Sequence, residues 1–230
     1  VGFAALKRGY NILIFEGPGQ GAVIREQGIP FRFDWEKVVA PVVDFAVEQT
    51  EVDPERIALM GISFGGYLAP RAVAFEPRIK ACIANGGVYD FHENMVKHGP
   101  KNFEAILDDT QAAKVMDADI YERMKVNPGL RWEISNGMWV FGVETPTAFI
   151  KATRPYNLKK VAPQIKCKML VVDSEGDQDL PGQSKRLYDA LRCPKEYLLF
   201  TRDEGAEEHC QMGAAMISNE RIFNWLAKNL

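Results

Sequence analysis

Arg56-Ile57-Ala58-Leu59-Met60-Gly61-Ile62-Ser63-Phe64-Gly65-Gly66-Tyr67 decides how the whole chain is read. Asp53-Pro54 makes a turn into its first part, Arg56 to Met60, an apolar run short enough for a buried strand. From Gly65 onward, Tyr67, Leu68 and Ala72 belong to a helix. Between strand and helix, Gly61-Ile62-Ser63-Phe64-Gly65 matches G-x-S-x-G, the pattern in which a serine sits on a strained turn. By composition alone that pattern arises in roughly one chain in ten of this size, so position carries the weight. The end of a buried strand and the start of a helix is the context the chemistry needs. It presents the Ser63 hydroxyl outward and sets the Phe64 amide near a helix N-terminus, facing a developing oxyanion.

Working outward, further apolar runs at residues 10–15, 79–84, 168–172 and 196–201 read as strands. Residues 1–8 read as the end of a helix stopped at Gly9. Asp34 is placed to cap a helix whose Trp35, Val38, Val39, Val42 and Val43 share a face, and residues 214–229 form the last helix. Strands that read as continuous rather than alternating, with helices between them, predict an α/β fold around a mostly parallel sheet. About 80 residues separate the run at 79–84 from that at 168–172, far more than one crossover needs. Helix formers around Phe103 to Met124, then Trp132, Met138, Trp139, Phe141 and Phe149, predict a helical lid there. The plainer reading is that these aromatics serve only the insert's own small core. The expected division is 1–90 for the first part of the core, 91–165 for the lid and 166–230 for the rest of the core.

A serine hydroxyl needs a base within hydrogen-bond reach, and histidine titrates in the right range. Of the three histidines, His92 and His98 lie at the start of the insert, whereas His209 follows the last strand, in a loop that can carry it over the sheet's C-terminal edge. An orienting acid is expected from the loop after the penultimate strand. Asp177 follows a glycine and precedes Pro181 there, and it is favoured over Asp173, Glu175 and Asp179. Ser63, His209 and Asp177 are therefore the expected nucleophile, base and acid, with Phe64 as oxyanion donor.

The remaining features exclude more than they assign. Gly17 to Gly21 lacks the order and the lysine of a phosphate loop and reads as a tight turn. His92 and His98 are six residues apart, so they would not share a helical face as a zinc site requires, and neither metal nor cofactor is expected. A net charge of −3, from 28 basic and 31 acidic residues mixed along the chain, argues against a nucleic-acid partner. No apolar stretch is long enough to span a bilayer. Cys82, Cys167, Cys193 and Cys210 are scattered, which predicts free thiols and a cytoplasmic setting. A small-molecule substrate is expected, and the oligomeric state stays open, a homodimer included.

Gly61 to Gly65, Asp177 and His209, in that order, resemble the α/β-hydrolase superfamily over nearly the whole chain. A narrower likeness rests on Arg8-Gly9-Tyr10-Asn11, on Phe15-Glu16-Gly17-Pro18-Gly19-Gln20-Gly21, on Gly61 to Tyr67 and on Glu208-His209-Cys210. These stretches resemble fungal polyketide-shortening hydrolases of pigment pathways and bacterial dihydroxypseudooxynicotine hydrolases. The resemblance implies cleavage of a carbon–carbon bond beside a ketone by a serine triad under a helical cap. It also implies further strands before Val1 and a loop there that supplies the second oxyanion amide. Glu16 stands where that family more often has Asp. The alternatives are a carboxylesterase, an acyl-peptide hydrolase, or a binding module that keeps the fold without the chemistry.

Overall fold

The computed structural model describes residues 1–97 and 99–230. Four parallel strands form its sheet in the order β1 (Ala58–Ile62), β2 (Ala81–Asn85), β3 (Lys168–Ser174) and β4 (Lys195–Phe200). The register sets Gly61 beside Ala84, Ile83 beside Leu170 and Val171 beside Tyr197. β2 is buried throughout and β3 everywhere but at Lys168, as strands covered on both faces must be, which is why both read as unbroken apolar runs. β1 and β4 lie at the edges and are only half-buried.

The pleat assigns the covering helices. Ala81, Ile83, Leu170 and Val172 pack with Ile222, Phe223, Trp225 and Leu226 of α11 (Ala215–Asn229), and Ala5 of α1 (Gly2–Leu6) joins them. Gly61 and Ala84 face the other way, because side chains alternate along a strand. A methyl at Gly61 would meet Ala69 of α4 (Gly65–Val73), so α4 covers the opposite face. α10 (Gln183–Ala190) packs on β3 and β4. α3 (Glu36–Val47) packs on α4, where Arg71 donates from Nε and Nη2 to the two Glu36 carboxylate oxygens, each at 2.8 Å. α3 starts two residues after Asp34, with Trp35 at the N-cap and no side-chain cap bond.

One expected strand is absent. Residues 10–15 do not join the sheet, so the helical insert lies between the second and third strands present rather than the third and fourth. Ile12, Leu13 and Ile14 are 38, 42 and 80% exposed. An apolar run becomes a strand only when a ladder partner takes its N–H and C=O groups. A cleft of about 780 Å³ is lined by both Tyr10 to Leu13 and the β1 residues Ala58 and Leu59, so β1 is not that partner.

The chain divides into two compact units, the sheet and its helices in one, residues 16–33 with residues 91–156 in the other. The second unit holds α2 (Gly21–Gln27), α5 (Phe91–Val96), α6 (Phe103–Asp108), α7 (Thr110–Val126), α8 (Pro128–Phe141) and α9 (Pro146–Ala152). Local chemistry sets these boundaries. The Asp109 carboxylate accepts from the Gln111 and Ala112 amides at the start of α7. Asn127 caps α8 ahead of Pro128, and Gly142 ends it with φ +67°. Phe103, Leu107, Ile120, Met124, Ile134, Phe149 and Ile150 form this unit's own core, with Met138 and Phe141 packed against it, whereas Trp132 and Trp139 are exposed. Glu16 accepts the Ala22 amide at 2.6 Å, capping α2.

Candidate active site

Parallel strands place all their C-terminal ends along one edge, so the turns leaving β1, β2, β3 and β4 can meet there. Ser63 follows β1 directly and adopts φ +57°, a left-handed conformation that costs a non-glycine residue about 1–3 kcal/mol. Its amide donates to the Asn85 carbonyl at 2.8 Å, and its carbonyl accepts from the Gly66 amide at 2.7 Å. Phe64 occupies the N-cap of α4. Two glycines make this turn sterically feasible. A Cβ on Gly61 would lie 1.9 Å from the Gly65 carbonyl oxygen, and one on Gly66 would lie 2.3 Å from that of Gly86. Gly65, although part of the G-x-S-x-G pattern, has nothing within 4 Å of such a position.

After β4 the chain makes a short turn capped reciprocally by Thr201 and Glu204, then reverses at Gly205 and reaches His209. The Gly176 amide donates to the Glu207 carbonyl at 2.9 Å, stitching the loop after β3 to the one after β4. The structure brings Ser63, His209 and Asp177 together. His209 Nε2 lies 2.8 Å from Ser63 Oγ, and Nδ1 lies 2.8 Å from Asp177 Oδ2. The Asp177 side chain is 3% exposed, and its Oδ1 accepts the Asp179 and Leu180 amides at 2.9 Å each. Burial opposes its charge, yet the bonds from His209 and Leu180 win and hold its pKa below the usual carboxylate value. The hydrogen bond to Asp177 raises the His209 pKa above its ordinary value, with the Cys210 thiol adding to the effect and burial opposing it.

The other candidates are elsewhere or otherwise engaged. Asp179 Oδ2 is 3.9 Å from His209 Nδ1, but its side chain is 71% exposed. Asp173 accepts the Tyr197 hydroxyl and the Ser174 amide. Glu175 accepts the Arg202 amide at 2.8 Å. His92 lies in the helical unit, 2.8 Å from Thr153 Oγ1 and 2.5 Å from Glu104 Oε1. His98 lies outside the described residues. Asp177, Asp179 and His209 bring ligand-type atoms within 4.8 Å of one another, the one such group among the described residues. The nitrogens of His209 already face Ser63 and Asp177.

The sequence reading gave no place in the site to four neighbours, although Cys210 was among the residues that carry the family resemblance. Gly86 follows β2 with φ +72°, and a Cβ there would sit 2.9 Å from Cys210 Sγ and 3.4 Å from His209 Cε1. Cys210 Sγ lies 3.4 Å from His209 Nε2. Asn85 and Gln211 meet behind the histidine at 2.9 Å. The pair Gly86-Gly87 reads in sequence as the end of a strand, and nothing local ties it to residues more than a hundred positions away.

A serine on a left-handed turn between a parallel strand and a helix, with a carboxylate and an imidazole arriving in order from later strand ends, defines an α/β-hydrolase fold. The chain belongs to the prolyl oligopeptidase family, whose model matches residues 5–129. It is 32% identical over 237 residues to hydrolase acrC of Aspergillus aculeatus, a match covering 97% of this chain and 54% of the relative. It is 33% identical over 243 residues to the 20-hydroxy-prefusarin hydrolase FUS2 of Gibberella moniliformis, covering 96% and 56%. The chain thus spans about half the length of these relatives. The crystal structure of a 2,6-dihydroxy-pseudo-oxynicotine hydrolase superposes with a TM-score of 0.67 at 21% identity, over 94% of this chain and 51% of that one. At that identity the likeness is one of fold. Among the described residues no helix is long and apolar enough to cross a membrane.

Proposed function

We propose that the chain carries the catalytic core of a serine hydrolase in which Ser63 is the nucleophile, His209 the base and Asp177 the acid that orients it. The observation that carries this reading is the unbroken path Ser63 Oγ, His209 Nε2, His209 Nδ1, Asp177 Oδ2, each hydrogen bond 2.8 Å long. Neutral His209 takes the hydroxyl proton as Ser63 attacks a carbonyl carbon. The Asp177 carboxylate fixes the tautomer and stabilises the imidazolium. The proton then passes to the leaving group, and water, deprotonated by His209, releases the acyl group from Ser63. The net reaction adds OH to the acyl carbon and H to the leaving atom. The Phe64 amide, at the N-terminus of α4, is the proposed oxyanion donor within this chain.

For the substrate, we propose a small molecule with a carbon–carbon bond beside a ketone, the leaving group being an enolate, or an ester of similar shape. The names of the FUS2 relative and of the oxynicotine hydrolase support hydrolysis of compact organic molecules. The helical insert between β2 and β3, expected over residues 91–165, is proposed as the cap that selects among them. The membership of the prolyl oligopeptidase family favours a second reading, cleavage of an acyl–amide bond in a blocked peptide. Four unpaired cysteines support a reducing, cytoplasmic setting.

Turnover of a β-diketone, a short acyl p-nitrophenyl ester and an N-acyl peptide separates these readings. The β-diketone or the ester is expected to react faster than the peptide, and Ser63→Ala is expected to lose at least roughly a thousandfold in kcat. Equal turnover by Ser63→Ala would remove the serine from the mechanism.

A further inference from the structure

Behind His209 lies a buried cluster of polar side chains that the proton path does not use. Gln211 is 2% exposed and engages both ends of its amide. Oε1 accepts from Asn85 Nδ2 at 2.9 Å and from Ser218 Oγ at 2.8 Å, and Nε2 donates to Ser174 Oγ at 2.9 Å. Those partners sit at the end of β2, the end of β3 and the start of α11, so one side chain ties the turn that carries His209 to three elements.

That turn needs an external hold. Cys210 and Gln211 both have left-handed backbones, with φ of +52° and +55°, and neither is glycine. Two successive residues in that region persist only where the surroundings over-determine them. The same Asn85 that bonds Gln211 also accepts the Ser63 amide on its carbonyl at 2.8 Å and the Cys210 thiol at 3.6 Å. Asn85 therefore touches both the serine turn and the histidine turn. Its Oδ1 is buried without a hydrogen-bond partner among the described residues, whereas its Nδ2 is spent on Gln211. The one side-chain hydrogen bond that Asn85 makes among the described residues is therefore the bond to Gln211.

We propose that the Asn85–Gln211 amide pair is a positioning device that sets the distance between Ser63 Oγ and His209 Nε2. The inference rests on reading those two residues as nucleophile and base. Gln211 and Asn85 touch no reacting atom; they act through the turns they hold.

The test compares fluorophosphonate labelling and ester hydrolysis, across pH, in wild type, Ser63→Ala and Gln211→Met, the last of which keeps the side-chain volume and removes its three hydrogen bonds. Small displacements of a catalytic group cost up to roughly a hundredfold. Gln211→Met is therefore expected to label roughly 30-fold to 100-fold more slowly and to lose kcat by a similar factor, with KM nearly unchanged. As His209 drifts from Asp177 its pKa falls, so the acid limb of the rate profile moves to lower pH. A merely structural glutamine would lower the melting temperature and leave that limb in place. Folded Gln211→Met with an unmoved limb, or one that labels at the wild-type rate, overturns the positioning role alone. Wild type that does not label, or Ser63→Ala that labels equally, overturns the underlying serine reading instead. If Gln211→Met does not fold, Ser218→Ala and Ser174→Ala each remove one bond and are expected to slow labelling roughly fivefold. Unchanged rates in both overturn the proposal.

Discussion

At the scale of single residues, Asp177 and His209 define what pH should do. Asp177 raises the His209 pKa, and a base works in its neutral form, so with His209 as the proposed base the rate should climb as pH rises through that value. Asp177→Asn removes the charge that favours the imidazolium. The acid limb of kcat should move to lower pH while the plateau drops by about four orders of magnitude, because the tautomer is no longer held. A limb that stays put would show that Asp177 does not set the histidine's charge. The glycines give a second prediction. Gly66→Ala would force a methyl to 2.3 Å from a backbone oxygen, and it should cost about 1–3 kcal/mol or more in urea unfolding. Gly65→Ala has open space and gains helix propensity, so it should be neutral or stabilising by up to about 1 kcal/mol. The G-x-S-x-G pattern singles out Gly65 and omits Gly66, because a sequence pattern records neighbours in the chain and not the Gly86 carbonyl that closes on the turn from the next strand.

At the scale of elements, legibility followed burial. β2 and β3, covered on both faces, appear in the sequence as short apolar runs because no position along them is free to be polar. Residues 10–15 carry the same signature and yet stand outside the sheet, since an apolar run records a demand for burial and says nothing about which strand answers it. The helical unit was readable as helical, but its joints were not. Asp117 in α7 is buried and accepts the Thr147 amide at 2.7 Å and the Thr147 hydroxyl at 3.0 Å, fastening the start of α9. That bond spans thirty residues and leaves no local trace. Asp117→Ala strands the Thr147 amide, so denaturant unfolding should show a loss of about 1–3 kcal/mol, with faster hydrogen exchange in α9. Unaltered exchange there would mean the carboxylate is not what holds that helix.

At the scale of the molecule, the meeting of the candidate site residues was legible because strand order and chain order coincide. Consecutive parallel strands bring turns distant in sequence to one edge, and a serine, an acid and a histidine spaced after successive strands can meet nowhere else. What the sequence could not convey was the support behind them, since Asn85, Gln211, Ser174 and Ser218 are ordinary polar residues until folding buries them together.

The most direct measurement is to react the chain with a fluorophosphonate, digest it and locate the added mass. One adduct per chain, on the peptide carrying Ser63, absent from Ser63→Ala and slowed severely in His209→Ala, is the predicted result. An adduct on another residue, or one that forms at the same rate without His209, would contradict the account.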